Sequence, residues 1–151
     1  MTTLDLTSPE LSGAGDATAV WAAAALQERG LRADALYVAT TDGGAREALA
    51  FWDHAHATGL GFANPAAFPW TLANSATGKI SLVLGITGPC TTYVGGDEAV
   101  AEAEQDAAAD CADGLFARAL VVSLRGVGPI QPVGGSVRVR MTARLVTGPP
   151  D

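Results

Sequence analysis

Sulfur, histidine, aromatic rings and charge are all scarce in this chain. Its two cysteines, Cys90 and Cys111, share no metal-type spacing and are too few for a disulfide framework, so both are expected to be reduced thiols. Its two histidines, His54 and His56, lie two residues apart and would not face one ligand from a helix, so no metal or other cofactor is expected. Charged residues are only 17% of the chain, and nine basic against sixteen acidic side chains give a formal charge of -7. That excess repels nucleic acid and anionic membrane surfaces and disfavours both as partners. No apolar run approaches the roughly 20 residues of a membrane span. The opening "MTTLDLTSPELSG" lacks the basic and apolar parts of a secretion signal, so a cytoplasmic location is expected.

What is present is small and apolar. Hydrophobic residues make up 48% of 151 residues, enough for one core, and abundant alanine with 18 glycines suits close helix–sheet packing. Residues 1–15 read as a polar arm. Asp16 then suits a helix N-cap for "ATAVWAAAALQER", with Val20, Trp21, Ala24 and Leu26 as the apolar face and Gly30 as the stop. "ALYVAT" (35–40) reads as a strand and "AREALAFWDHAHATG" as a helix with a Leu49–Trp52–His56 stripe. A loop with two prolines, "GFANPAAFPW", leads to a mostly buried helix over 71–85, with Leu72, Ala76, Ile80, Val83 and Leu84 inward. "CTTYV" (90–94) and "ARALVVSL" (117–124) read as strands around the helix "DEAVAEAEQDAAADCA" (97–112). After the turn "RGVGPIQPVGG", the alternation in "SVRVRMTARLV" (136–146) predicts a half-exposed strand at a sheet edge. Helices alternating with short apolar strands indicate an α/β layered domain.

Three stretches, in order, resemble the N-terminal half of a β-ketoacyl synthase, a thiolase-fold condensing enzyme. They are "ALYVATTDGGAREALAF", "FPWTLANSATGKISLVLGITGP" with Asn74, Gly78, Gly85, Gly88 and Pro89 in register, and "CTTYVGGDEAVAEAEQ…ARALVVS". Within that family the likeness is to the divergent ketosynthase-like and chain-length-factor subunits of type II polyketide systems. It implies half of a thiolase-like fold over 16–126, helices packed on a mixed sheet; the turn and extra C-terminal edge strand expected over 127–151 lie beyond the resemblance.

In active relatives a cysteine stands eight residues after that proline, at a helix N-terminus where the dipole favours a thiolate. In this chain the position is Asp97. The catalytic histidines of the family belong to its C-terminal half, so a self-sufficient ketosynthase is not expected. The resemblance implies instead a non-catalytic partner of a full-length ketosynthase, as a homo- or hetero-dimer, in polyketide or fatty-acyl biosynthesis. In relatives the strand before the elbow lies against its counterpart across the dimer, which points to Pro89, Cys90, Thr91, Thr92, Tyr93, Val94, Gly95 and Gly96.

Two further readings stay open. Asp97 either caps its helix or acts as general acid/base on an acyl thioester, in dehydration, cyclisation or hydrolysis. Arg138, Arg140 and Arg144 either form a basic stripe that docks an acyl carrier protein or guard a solvated edge. Cys90, at the start of a strand, is expected to be a small buried hydrophobe. The Gly95-Gly96 pair is no phosphate loop, since no lysine follows and two acids open the helix.

Overall fold

The computed structural model describes residues 3–11, 16–127 and 136–149. In chain order the elements are β1 (Thr3–Thr7), α1 (Ala17–Glu28), β2 (Ala35–Thr40), α2 (Ala45–Thr58), short 3-10 turns at Leu60–Phe62 and Phe68–Thr71, α3 (Ser75–Leu84), β3 (Cys90–Val94), α4 (Asp97–Ala112), β4 (Arg118–Val127) and β5 (Arg138–Thr147). One five-stranded sheet runs β1-β5-β4-β2-β3. β2 pairs in parallel with β3 and β4, while β5 is antiparallel to both β4 and β1.

The two faces of the sheet are packed differently. On one, α1 and α3 cover Leu36, Val38, Leu120, Val122, Val139 and Met141, which form the larger core with Leu26 and Ile80. On the other, α4 lays Ala99, Ala103, Ala107 and Cys111, four residues apart, on Ala35, Tyr37, Ala39, Ala119 and Val121. A four-residue repeat keeps methyl groups on one helix stripe, and small side chains bring helix and strand backbones close. Two tyrosine hydroxyls pin that helix: Tyr37 donates to Asp110, and Tyr93 donates to Asp106 at 2.7 Å.

The glycine of the Gly-Pro pair has a local reason. A Cβ at Gly88 would stand 2.1 Å from the Asp34 carbonyl oxygen, so no other residue fits before β3. Beyond it, Leu36 N–H donates to the Pro89 carbonyl at 3.0 Å, opening the β2–β3 ladder.

Several expectations need correction. The N-terminal arm is partly strand: Leu4 and Leu6 of β1 pack on the larger core while Thr3, Asp5 and Thr7 face out, a period of two hidden among polar residues. Because β1 covers its outer side, β5 is an interior strand and not the edge. Part of the turn expected over 125–135 is strand, since β4 continues to Val127; residues 128–135 lie outside the described residues. The buried face of α1 is Ala19, Ala22, Ala23 and Leu26, leaving Val20 and Ala24 exposed. The third helix begins at Ser75, and Leu72 ahead of it is exposed. α4 is half-exposed, its outer surface carrying Glu98, Glu102, Gln105 and Asp106.

Candidate functional site

The strand–elbow–helix unit is β3, Gly95-Gly96 and α4. Gly95 N–H closes the β2 ladder on the Thr40 carbonyl at 3.1 Å, and α4 starts two residues later. Gly96 occupies the cap position, and no side chain caps the helix. Asp97 is therefore the first helical residue and not the cap. Its carboxylate pairs with Arg125 on β4 and is 91% exposed. Glu98 turns back instead: its Oε1 accepts the Gly96 N–H at 2.8 Å, and that bond holds the Glu98 carboxyl below its ordinary range.

Arg125 was not anticipated from sequence, where it sat in an assumed turn. Its signal was two-residue alternation continuing past Ser123, which places 121, 123 and 125 on the α4 face. Directly across the ladder from Arg125 lies Arg140. Like charges in that position repel, and each is neutralised by its own carboxylate. Arg140 takes Asp5 through Nε at 3.0 Å and Nη2 at 2.5 Å, which lowers the Asp5 pKa and raises that of the arginine. Arg138 stands 4.0 Å from Glu10, and Arg144 bonds Glu104 at 3.4 Å. The expected stripe shares one sheet face with Asp97, but every arginine in it already faces an acid.

β3 presents a different surface. Among the described residues it pairs only with β2, so its outer edge is open. The bond accepted by the Pro89 carbonyl and the one donated by the Gly95 N–H turn the polar backbone groups of odd-numbered residues toward β2. Those of Cys90, Thr92 and Val94 therefore point outward, by the geometry of a strand. Cys90 is exposed, against expectation, because no element covers this edge, and desolvation holds its thiol above the ordinary value. A thiol shifted that way is not an activated nucleophile. Thr92 and Thr77 share a hydrogen bond at 2.6 Å that ties the strand to α3.

Exposed apolar side chains lie on this strand and on elements near it in the chain: Val94, beside the Gly43 turn, Leu82 on α3, 81% exposed, and Leu72 ahead of α3. On α2 and the 3-10 turns Leu49, Trp52, Leu60, Phe62 and Phe68 are exposed as well, and Phe51 makes edge-on ring contacts with Trp52 and Phe68. The Leu49–Trp52–His56 stripe thus faces outward. His54 and His56 are both exposed on α2, His56 beside the Trp52 ring.

The arrangement is a mixed sheet between helices, with a strand–elbow–helix unit at one end of the strand order, and it is similar to the thiolase-like fold. Two solved structures share it. One is a ketosynthase (ApeO) in complex with its chain length factor (ApeC) from Xenorhabdus doucetiae, matched with a TM-score of 0.61 at 16% identity over 91% of this chain and 59% of that one. The other is the ishigamide ketosynthase/chain length factor, with a TM-score of 0.57 at 17% identity over 73% of this chain and 35% of that one. No protein-family model matches the chain, and no curated protein does. The likeness is one of fold, over three-fifths or less of each neighbour's length. Among the described residues no helix is long and apolar enough to cross a membrane.

Proposed function

We propose that the chain is a non-catalytic, chain-length-factor-like subunit that pairs with a full ketosynthase in a polyketide or fatty-acyl system. The observation that carries this reading is the elbow itself. The bend is kept, a carboxylate stands where the relatives of the resemblance hold their nucleophile, and that carboxylate lies in solvent against Arg125. A catalytic carboxyl would need an enclosed site that perturbs its ionisation, so the acid/base alternative finds no support in this geometry. The open edge of β3 and its apolar border supply the means of pairing. Strand addition along Pro89–Gly96 would satisfy the outward backbone groups and cover Leu82, Val94 and Leu72. The Arg138, Arg140 and Arg144 stripe is a weak basis for docking an acyl carrier, since each guanidinium already has an acid beside it.

The test is co-expression with a ketosynthase from the same genome, followed by size-exclusion chromatography with light scattering. A one-to-one complex is expected, unchanged in Asp97→Asn. A monomer that forms no complex with any ketosynthase of that genome would overturn the reading.

A further inference from the structure

The two faces that flank the open edge of β3 differ in charge. Thr92 turns to α3 through its bond with Thr77, so Cys90 and Val94 share that face and put no charge on it. Thr91 and Tyr93 turn to α4, which carries acids and no basic residue. Glu98, Glu102, Asp106 and Asp110 fall four apart and so form one stripe of that helix. The hydroxyl bonds from Tyr93 to Asp106 and from Tyr37 to Asp110 turn the stripe toward β3 and its neighbour β2. At the elbow end Glu98 reaches back to the Gly96 N–H at 2.8 Å. From there to Asp110 the helix rises about 18 Å, close to the roughly 17 Å of a five-residue strand, so the stripe is as long as the edge it borders.

The charges are felt on the strand. After burial and the bond to Asp106, the charges of Asp106, Glu102 and Asp110 raise the Tyr93 pKa. Among the described residues none of the four stripe acids forms an ion pair; the paired acids are Asp5, Glu10, Glu47, Asp97 and Glu104. Like charges four apart weaken an isolated helix, so the stripe stabilises nothing within the chain. It is complementary to a basic surface. A second copy of this chain does not supply one. Antiparallel addition of β3 to its own counterpart, about a two-fold axis normal to the sheet, puts both α4 helices on the same face and sets acid beside acid.

We propose that the strand added to β3 belongs to a different chain, one that carries lysine or arginine where it passes α4 and sets those residues against Glu102 and Asp106. The inference rests on the partner reading of β3 and names the chemistry of that partner. The outward backbone groups of Cys90, Thr92 and Val94 accept any strand, so they give affinity without choice. The acid stripe makes the choice: it attracts a basic partner and repels a copy of its own chain.

The experiment measures affinity for the ketosynthase of the same genome by surface plasmon resonance, over a range of salt concentrations. Glu102→Gln combined with Asp106→Asn keeps the shape of both side chains and an acceptor for the Tyr93 hydroxyl. It should weaken the complex at least about tenfold and flatten its salt dependence. Glu102→Gln alone removes a charge from between two like neighbours, so it should raise the melting temperature of the isolated chain by about 2 °C while weakening the complex. A fall in both would mark a structural residue and overturn the proposal. Glu28→Gln, exposed on α1, should leave the affinity unchanged. A complex that Val94→Pro weakens, but that the acid variants and salt leave alone, would overturn this inference and keep the partner reading. A dimer of the chain with itself through β3, in place of the mixed complex, would overturn it too. No complex with any ketosynthase of that genome would overturn both.

Discussion

The two edges of the sheet solve the same problem in opposite ways. β1 ends the sheet on one side with Thr3, Asp5 and Thr7 exposed on one face and Asp5 held by Arg140 of the neighbouring strand. β3 ends it on the other side with Cys90, Thr91 and Val94 exposed, no charge of its own, and apolar side chains on the elements beside it. Charge on an edge strand keeps other chains from adding to it, and an uncharged edge with an apolar border invites addition. The chain carries charge at the edge that is to stay in water and omits it at the edge proposed to meet a partner.

The largest effect is expected from closing the open edge. Val94→Pro removes an N–H that faces outward and leaves the β2 ladder intact, which is the position at which an edge strand tolerates proline. Combined with Leu82→Asp, it should weaken the ketosynthase complex by at least about a hundredfold, or about 2.7 kcal/mol. The far-ultraviolet circular dichroism of the isolated chain should stay unchanged. Affinity measured by surface plasmon resonance checks this; undiminished binding by a folded double variant would show that β3 is not the contact.

A smaller effect is expected one layer in, where β3 and β2 are fastened to α4. Tyr37→Phe leaves the ring packed on Ala99, Ala103 and Ala107 and removes the hydroxyl bond to Asp110, at a cost of about 1 kcal/mol. Burial, then the Asp110 bond, raises the Tyr37 pKa. A phenol whose folded pKa lies above its unfolded value of 10.0 stabilises fully below that value and loses the contribution as pH rises toward the folded one. The difference in melting temperature between wild type and Tyr37→Phe should therefore be constant at neutral pH and shrink only in alkali above pH 10. Tyr93→Phe, on the open-edge strand itself, should behave alike through Asp106, with burial again the leading cause of its raised pKa.

Much of this molecule was readable without coordinates, and the gaps have physical causes. "ALYVAT" and "CTTYV" fell where β2 and β3 lie, and Asp97–Ala112 is the helix its alanines and acids announce. These elements satisfy their own local preferences, so propensity and tertiary packing agree. β1 was missed because its two leucines, alternating with threonine and aspartate, are too short a pattern to outweigh a polar setting. The placement of β5 was missed because an exposed arginine period marks a polar sheet face, and a polar face occurs on interior strands as readily as on edges. The elbow was legible down to Asp97, but Arg125 was not, since their pairing joins residues 28 apart. Nor could periodicity tell that the Trp52 stripe faces solvent: an apolar helix face marks a surface to be covered and says nothing of what covers it.

The smallest effect lies at the guarded edge and gives the comparison its control. Asp5 and Arg140 are both largely in solvent, where such pairs contribute little, so Asp5→Asn should barely move the melting temperature at neutral pH. Its signature is in the pH dependence. The Arg140 bond lowers the Asp5 pKa below 3.8, so the pair's contribution is present above that value and disappears as pH falls through the folded pKa. Melting curves of wild type and Asp5→Asn should accordingly converge below about pH 4 and separate slightly above it. The same substitution removes the charge that keeps β1 from acting as a strand template. Asp5→Asn should therefore raise self-association of the isolated chain at neutral pH, while Thr91→Lys, which places a charge on β3, should lower it. Light scattering at matched concentration separates the two. Equal behaviour of both variants would mean that charge is not what distinguishes the edges.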